Sequence, residues 1–586
     1  NTGGDQYSVQ YVLPRQEEVV TEATVVRCRN GIGVNYTEPY MRRRDADSMV
    51  VADDNPTDKP RFADLYKYPF SELRDEVFAW LSEQDLIVLP FSAGGLDLGY
   101  DSLLIAPANA AFFALALADI QGMMPSATWR DNFKPRAIIY VAPPFRQTHC
   151  DGKQIVVHNR VNGLHEIFSL NLYPGPSAKK GVYGVLLSIG EDEGWLTAHG
   201  SSVQVTTPYD NIVTFMHEGA SGSGKSEMLE YPHREQDGRL LMGENIVTRE
   251  RRYLHLTQGC TLHPVTDDMA LCHPTLQNGG RKLVVKDAEN AWFLRVDHIS
   301  GYGVDAQLER LCTQPPEPLV FLNFYAVPNA TCLIWEHTED KPGVPCPNPR
   351  VILPRRIVPG IVNNPVEIDV RSFGIRMPPC TREKPTYGIS GYIHFLPPAL
   401  AWLWRLVSPR GYNNPSITNA DSLTSEGVGS YWPFATGKRV NHANLLLQQV
   451  TRTPSTRYIL TPNQYIGAWK VGFMPEWISR EYLARRGGAK FRPDQLRPAR
   501  CSLLGYAITN MHIEGTQIPQ WMLEVNLQSE VGEEGYAQGA QMLTDLFYRE
   551  LKRYSNDPEL DPLGHKIIEC FLDSGTAEDY THLITA

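Results

Sequence analysis

Apolar residues fall along the chain in two periods. Short β-branched runs, Ala137–Val141 (AIIYV), Val182–Leu187 (VYGVLL) and Ile212–Met216 (IVTFM), predict buried strands. Spacings of three and four predict helices over residues 100–124 and 535–555. In the second, Ala537, Ala540, Leu543, Phe547 and Leu551 share one face. Pro-rich stretches at 52–70 and 341–359 read as breaks, and no internal repeat is visible. Strands ending in Gly-rich turns, with comparatively few helices, predict a mixed α/β (α+β) protein of two lobes, divided as 1–205 and 206–586.

Composition narrows the class. The 586 residues are 42% hydrophobic and 21% charged, a globular balance. A net charge of −11 gives no basic footprint, so no nucleic-acid partner is expected. The longest apolar run, Ala110–Ala118, is closed by Asp119 far short of the ~20 residues a bilayer needs, so no membrane span is expected. The first residues, NTGGDQYSVQ, have neither the charge nor the apolar run of a signal peptide. Scattered cysteines without a C-x-x-C pair imply reduced thiols and a cytoplasmic setting.

The most specific local signal is Gly219-Ala220-Ser221-Gly222-Ser223-Gly224-Lys225-Ser226, which satisfies G-x-x-x-x-G-K-[ST] after an apolar strand. Its glycines let backbone N–H groups turn onto phosphate oxygens. Lys225 supplies countercharge, Ser226 offers a hydroxyl to a divalent metal, and a helix opening over 226–231 would add partial positive charge. Asp267-Asp268, some forty residues on, is the candidate acidic partner for that metal.

At this point the chain resembles the phosphoenolpyruvate carboxykinases, closer to the ATP-dependent branch, whose loop reads G-x-S-G-x-G-K-T-T. The ending Gly-Lys-Ser-Glu (to Glu227) is shared with the bacterial HPr kinase/phosphorylases. Lys179-Lys180-Gly181, with His199 nineteen residues after Lys180, resembles the carboxykinase Lys-Lys-Gly…His pair. Asn348-Pro349-Arg350-Val351 is similar to Asn-x-Arg-[VF], and Arg42-Arg43-Arg44 lies where the family has a substrate-binding arginine segment. Ile393–Pro398, Leu460–Leu483 and Tyr536–Tyr554 follow in family order.

The resemblance implies a two-lobed carboxykinase fold using ATP, Mg²⁺ and Mn²⁺. It places Mn²⁺ on Lys180, His199 and Asp268, the nucleotide metal on Ser226, and the nucleotide on Gly219–Ser226. Its catalytic set is Arg43, Lys179, Ser221, Lys225 and Arg350, with the choice among Arg42, Arg43 and Arg44 left open. The implied reaction decarboxylates oxaloacetate and phosphorylates the enolate, so the partners are a nucleotide and a small carboxylate. Two departures stand out: Tyr173 is displaced by about one residue from the family's carboxylate-binding tyrosine, and Glu227 replaces the loop's second threonine. A kinase acting on a different acceptor, or a silent nucleotide-binding protein, are the alternatives. Asp297-His298, His263 and His273 fit no metal spacing and read as structural or surface residues. Gly427–Gly437, with Tyr431, Trp432 and Phe434, reads either as a lid or as a packed turn.

Overall fold

The computed structural model describes residues 4–584 apart from 44, 46, 126–132, 336–338, 342–343, 347 and 414–422. Among the described residues the protein is mixed α/β, with two six-stranded sheets, one fourteen-stranded sheet and thirteen α-helices, most of them short. No helix among the described residues is long and apolar enough to cross a membrane. None of the ten cysteines is in a disulfide, and nine of them are buried.

The first sheet runs in the order Gln6–Val12, Val19–Cys28, Gly31–Tyr36, Leu319–Leu322, Arg350–Pro354, Ala291–Arg295. Strands far apart in sequence thus complete a sheet begun at the N-terminus, through the parallel pairing of 31–36 with 319–322. The boundary expected at 205/206 falls inside strand Thr197–Thr206, whose ladder to Ile212–Glu218 and buried Val203 and Val205 tie it to the large sheet. A linear cut misses both the crossing strands and this hairpin.

The centre of the large sheet is three parallel strands, Ile212–Glu218, Val370–Arg376 and Arg457–Ile466. Burial on both faces explains why Val213–Met216 reads as a nearly continuous apolar run rather than an alternation. Ala137–Val141 is likewise a strand, as expected. Val182–Leu187 is not. It lies inside helix Lys180–Glu193, closed by Gly194 in the left-handed region. This helix is buried nearly all round, and Gly184 brings it so close to the Phe434 carbonyl that a Cβ would sit 2.6 Å from it. Such burial leaves no helical stripe, and a short apolar run then mimics a strand.

The 100–124 expectation is half corrected. Tyr100–Pro107 is a strand, and the helix begins at Ala111. Helix Gly532–Leu551 is present, but its buried face (Tyr536, Gly539, Leu543, Phe547) is turned so that Ala537 is exposed.

Candidate active site

The Gly219–Ser226 loop leaves strand Ile212–Glu218 at a buried anchor. Glu218 accepts two hydrogen bonds from Arg371 (2.7 and 2.8 Å) and one from Arg405 (2.6 Å). All three side chains are buried. Gly224 then adopts φ 97°, and a Cβ there would run into the Glu476 carboxylate. Only glycine fits. Ser223 N–H bonds the Ala220 carbonyl, and His217 Nε2 meets the Ser223 carbonyl at 2.9 Å.

The helix expected to open at Ser226 is a single 3₁₀ turn, Glu227–Leu229. Pro232 disfavours helical backbone at Tyr231, so the turn cannot propagate. Helix Met474–Arg485 satisfies its carbonyls instead, Trp477 Nε1 donating to Glu227 O (2.7 Å) and Arg480 to Met228 O and Glu230 O. Loop amides and Lys225, not an extended helix dipole, are what this loop offers an anion. Lys225 Nζ donates to the Gly219 and Ala220 carbonyls (3.3 Å each) and lies 3.8 Å from Asp268 Oδ1.

Three residues distant in sequence meet beside it. Lys180 opens the buried helix 180–193, and His199 sits on strand Thr197–Thr206. That strand pairs with both Thr261–Thr266 and Met269–Leu271, so the Asp267-Asp268 turn between them is pinned next to His199. Lys180 Nζ is 3.1 Å from His199 Nε2 and 2.5 Å from Asp268 Oδ2, and His199 Nε2 is 3.0 Å from Asp268 Oδ1. Lys179 takes the other side, 2.6 Å from Glu289 and 3.4 Å from Asp268.

Electrostatics follow from burial. Desolvation, helped by Lys179 and Lys225 and opposed by Asp268, lowers Lys180 to about 8. Burial and then the two lysines Lys225 and Lys180 hold His199 at about 3, a neutral imidazole. Its Nδ1 is 3.0 Å from both the carbonyl and the hydroxyl oxygen of Ser430; with Nδ1–H donated there, Nε2 turns a lone pair toward Lys180 and Asp268. Burial disfavours charge on Asp268, but Lys180, Lys179 and His199 outweigh it and hold the carboxyl well below its usual range. Asp267 is pushed up to about 6 by burial, partly offset by Lys179 and a hydrogen bond from Ser226.

These groups line one cavity of about 190 Å³, together with Ser221, Gly222, Glu227, Tyr173, Asn348, Arg295 and Arg350. Asn348 joins the last part, donating to Tyr173 Oη (3.0 Å) and accepting from Arg350 Nε (2.8 Å). Arg350 also donates to Phe293 O.

Arg43 is not among the residues lining the cavity. Its Nε is buried without a hydrogen bond, and its carbonyl accepts from Gln154. Arg42 is turned onto the Tyr36 carbonyl as a structural clamp, and Arg44 lies outside the described residues.

Sequence reasoning missed Glu289, the charge partner of Lys179, and Ser430, which orients His199. Phe434, read from the sequence only as part of a lid or packed turn, has its ring centroid 4.7 Å from Lys180 Nζ. The last two belong to the Gly427–Gly437 segment, which is a packed turn: Val428 through Trp432 are buried. Its aromatic and glycine content was the available signal. His298 was read as structural or surface. It stands instead with Glu230 and Asp305, their ligand atoms all within 4.8 Å of one another.

No curated protein matches the sequence. A family model described as a domain of unknown function, DUF4914, matches residues 1–584. Matched over nearly its whole length, the chain belongs to the DUF4914 family.

Proposed function

We propose that this cleft carries out divalent-metal-dependent phosphoryl transfer of the carboxykinase type, on a two-lobed fold like that of the phosphoenolpyruvate carboxykinases. Oxaloacetate and a nucleoside triphosphate would give phosphoenolpyruvate, CO₂ and the diphosphate. One observation carries the reading: the amine of Lys180, the imidazole of His199 and the carboxylate of Asp268 converge beside Lys225 of a phosphate loop.

The donor set, two nitrogens whose charged forms burial disfavours and one carboxylate, fits a first-row divalent ion such as Mn²⁺. Bound there, the ion supplies positive charge that polarises phosphoryl and carbonyl oxygens. The protein's own groups do the rest. Lys225 would exchange its two loop-carbonyl contacts for phosphate oxygens, and Ser226, held near Asp267, would offer its hydroxyl to the nucleotide's Mg²⁺. Arg350 and Tyr173, linked through Asn348, orient the substrate carboxylate. As CO₂ leaves oxaloacetate its bonding pair stays as the enolate. The enolate oxygen then bonds to the γ-phosphorus while the β–γ bridging oxygen departs with its electrons on the diphosphate.

A second reading, transfer to a different acceptor, is favoured by Glu227 on the cavity wall and by the position of Arg43 off it. A coupled assay separates the two. The full chain is supplied with phosphoenolpyruvate, bicarbonate, ADP and Mn²⁺, and malate dehydrogenase reports oxaloacetate, with Lys225→Ala as control. Oxaloacetate formed by the wild type and not by the variant supports the first reading. No oxaloacetate, with nucleotide still bound or hydrolysed, rules it out in favour of the second.

A further inference from the structure

The same cavity is bordered by a cluster that the phosphoryl-transfer reading does not use. Glu230 follows the phosphate-loop turn, His298 follows the strand that carries Arg295, and Asp305 caps helix Ala306–Thr313. Their ligand atoms come from three separate segments and lie within 4.8 Å of one another, and Glu230 and His298 both line the cavity.

Ordinary structural roles account for only part of this arrangement. Asp305 Oδ1 is committed to the helix cap, accepting from Leu308 N at 3.0 Å. Its Oδ2 is left facing His298 Nε2 at 3.7 Å, too far for a hydrogen bond. His298 Nε2 is itself buried and makes no hydrogen bond. Burial first, and then Glu227, Asp305 and Asp267, disfavour ionisation of Glu230. Arg480, the cation that opposes them, spends guanidinium hydrogen bonds on the Met228 and Glu230 carbonyls. His233 completes the surroundings, 3.7 Å from Glu230 Oε2 and stacked on His298 at 6.1 Å.

We propose that Glu230, His298 and Asp305 form a second divalent-cation site in this cavity, separate from Lys180, His199 and Asp268. One imidazole and two carboxylates suit Mn²⁺, Zn²⁺ or Co²⁺ over the hard ions Mg²⁺ and Ca²⁺. A cation there joins the unpaired Nε2 to the crowded carboxylates. Because Glu230 is only four residues beyond Ser226, the site is tied to the phosphate loop through the 3₁₀ turn.

The test is a Mn²⁺ titration of the chelator-treated full chain, with free Mn²⁺ followed by electron paramagnetic resonance. Wild type is compared with His298→Gln, Asp305→Asn and His199→Ala, each checked for folding by circular dichroism. Asp305→Asn keeps a helix-capping side chain, so the helix start is preserved while the ligand charge is lost. The expected result is one Mn²⁺ equivalent that weakens at least about tenfold in His298→Gln and in Asp305→Asn yet is retained in His199→Ala. Unchanged binding in the first two variants, disappearance of every equivalent in His199→Ala, or no binding by wild type would overturn the proposal. Any separate equivalent lost only in His199→Ala bears on the Lys180 cluster, so the two sites are judged independently.

Discussion

Two buried charged clusters lie close to the Gly219–Ser226 loop, and they are built on opposite plans. At its start, Glu218 is held between Arg371 and Arg405, all three buried and none lining the candidate-site cavity. Beside it, Lys179, Lys180, His199, Lys225 and Asp268 face a cavity, with several cations sharing one central carboxylate. The first arrangement is closed on itself and fixes where strand Ile212–Glu218 ends. The second lowers its amine to about 8 and holds its imidazole neutral, an arrangement that a protein gains nothing from burying unless a ligand completes it. Charge burial alone therefore does not mark a functional site; a cavity beside incompletely matched groups does.

Substitutions should separate the two clusters sharply. Lys225→Ala is expected to lower kcat by about 10²–10³-fold, the scale of losing one electrostatic stabiliser, and to leave the thermal melt near wild type. Glu218→Gln should do the reverse. Breaking a buried pair that leaves charge uncompensated costs about 3–5 kcal/mol, which urea denaturation would read as a lowered midpoint.

The same carboxylate sets a pH dependence. Burial opposes ionisation of Glu218, but Arg371 and Arg405 outweigh it and hold the carboxyl at about 2. A depressed folded-state pKa means the stabilisation is fully present above the unfolded carboxyl range. It is lost as pH falls from about 4.5 toward 2, by ~3 kcal/mol. Denaturation midpoints of wild type measured across that window should fall more steeply than those of Glu218→Gln. Equal slopes would mean that this triad is not what acid breaks.

Smaller effects sharpen the cleft side. Ser430→Ala leaves a carbonyl but no hydroxyl at His199 Nδ1, and should weaken Mn²⁺ binding about tenfold with little change in stability. Arg43→Ala, off the cavity wall, should change kcat/KM by no more than about twofold, while Arg350→Ala should lower it by at least about tenfold. A large loss in Arg43→Ala would mean that its unpaired Nε turns into the cleft when substrate binds.

Local chemistry was legible in the residues themselves, whereas the long-range grouping of Lys180, His199 and Asp268 entered only through the family resemblance. Glycines at 219, 222 and 224 announce a loop because their backbone conformations exclude most residues, and that signal is contiguous. Lys180, His199 and Asp268 are separated in sequence, and their meeting depends on strand Thr197–Thr206 pairing with both flanks of the Asp267-Asp268 turn. Periodicity alone cannot supply that register. Val182–Leu187 misled because all-round burial erases the helical stripe. The aborted helix at Ser226 was foreshadowed by Pro232, a signal that the motif's usual context overshadowed. Ser430 and Glu289 were invisible as site residues because their roles exist only through His199 and Lys179.

The most direct measurement is anomalous diffraction at the manganese edge from crystals of the full chain grown with Mn²⁺ and a non-hydrolysable ATP analogue. The account predicts a manganese peak bounded by Lys180 Nζ, His199 Nε2 and Asp268, with the nucleotide phosphates on Gly219–Ser226 and Lys225 turned off its loop carbonyls onto them. Nucleotide bound elsewhere, or those three side chains still paired only with one another at saturating Mn²⁺, would contradict it.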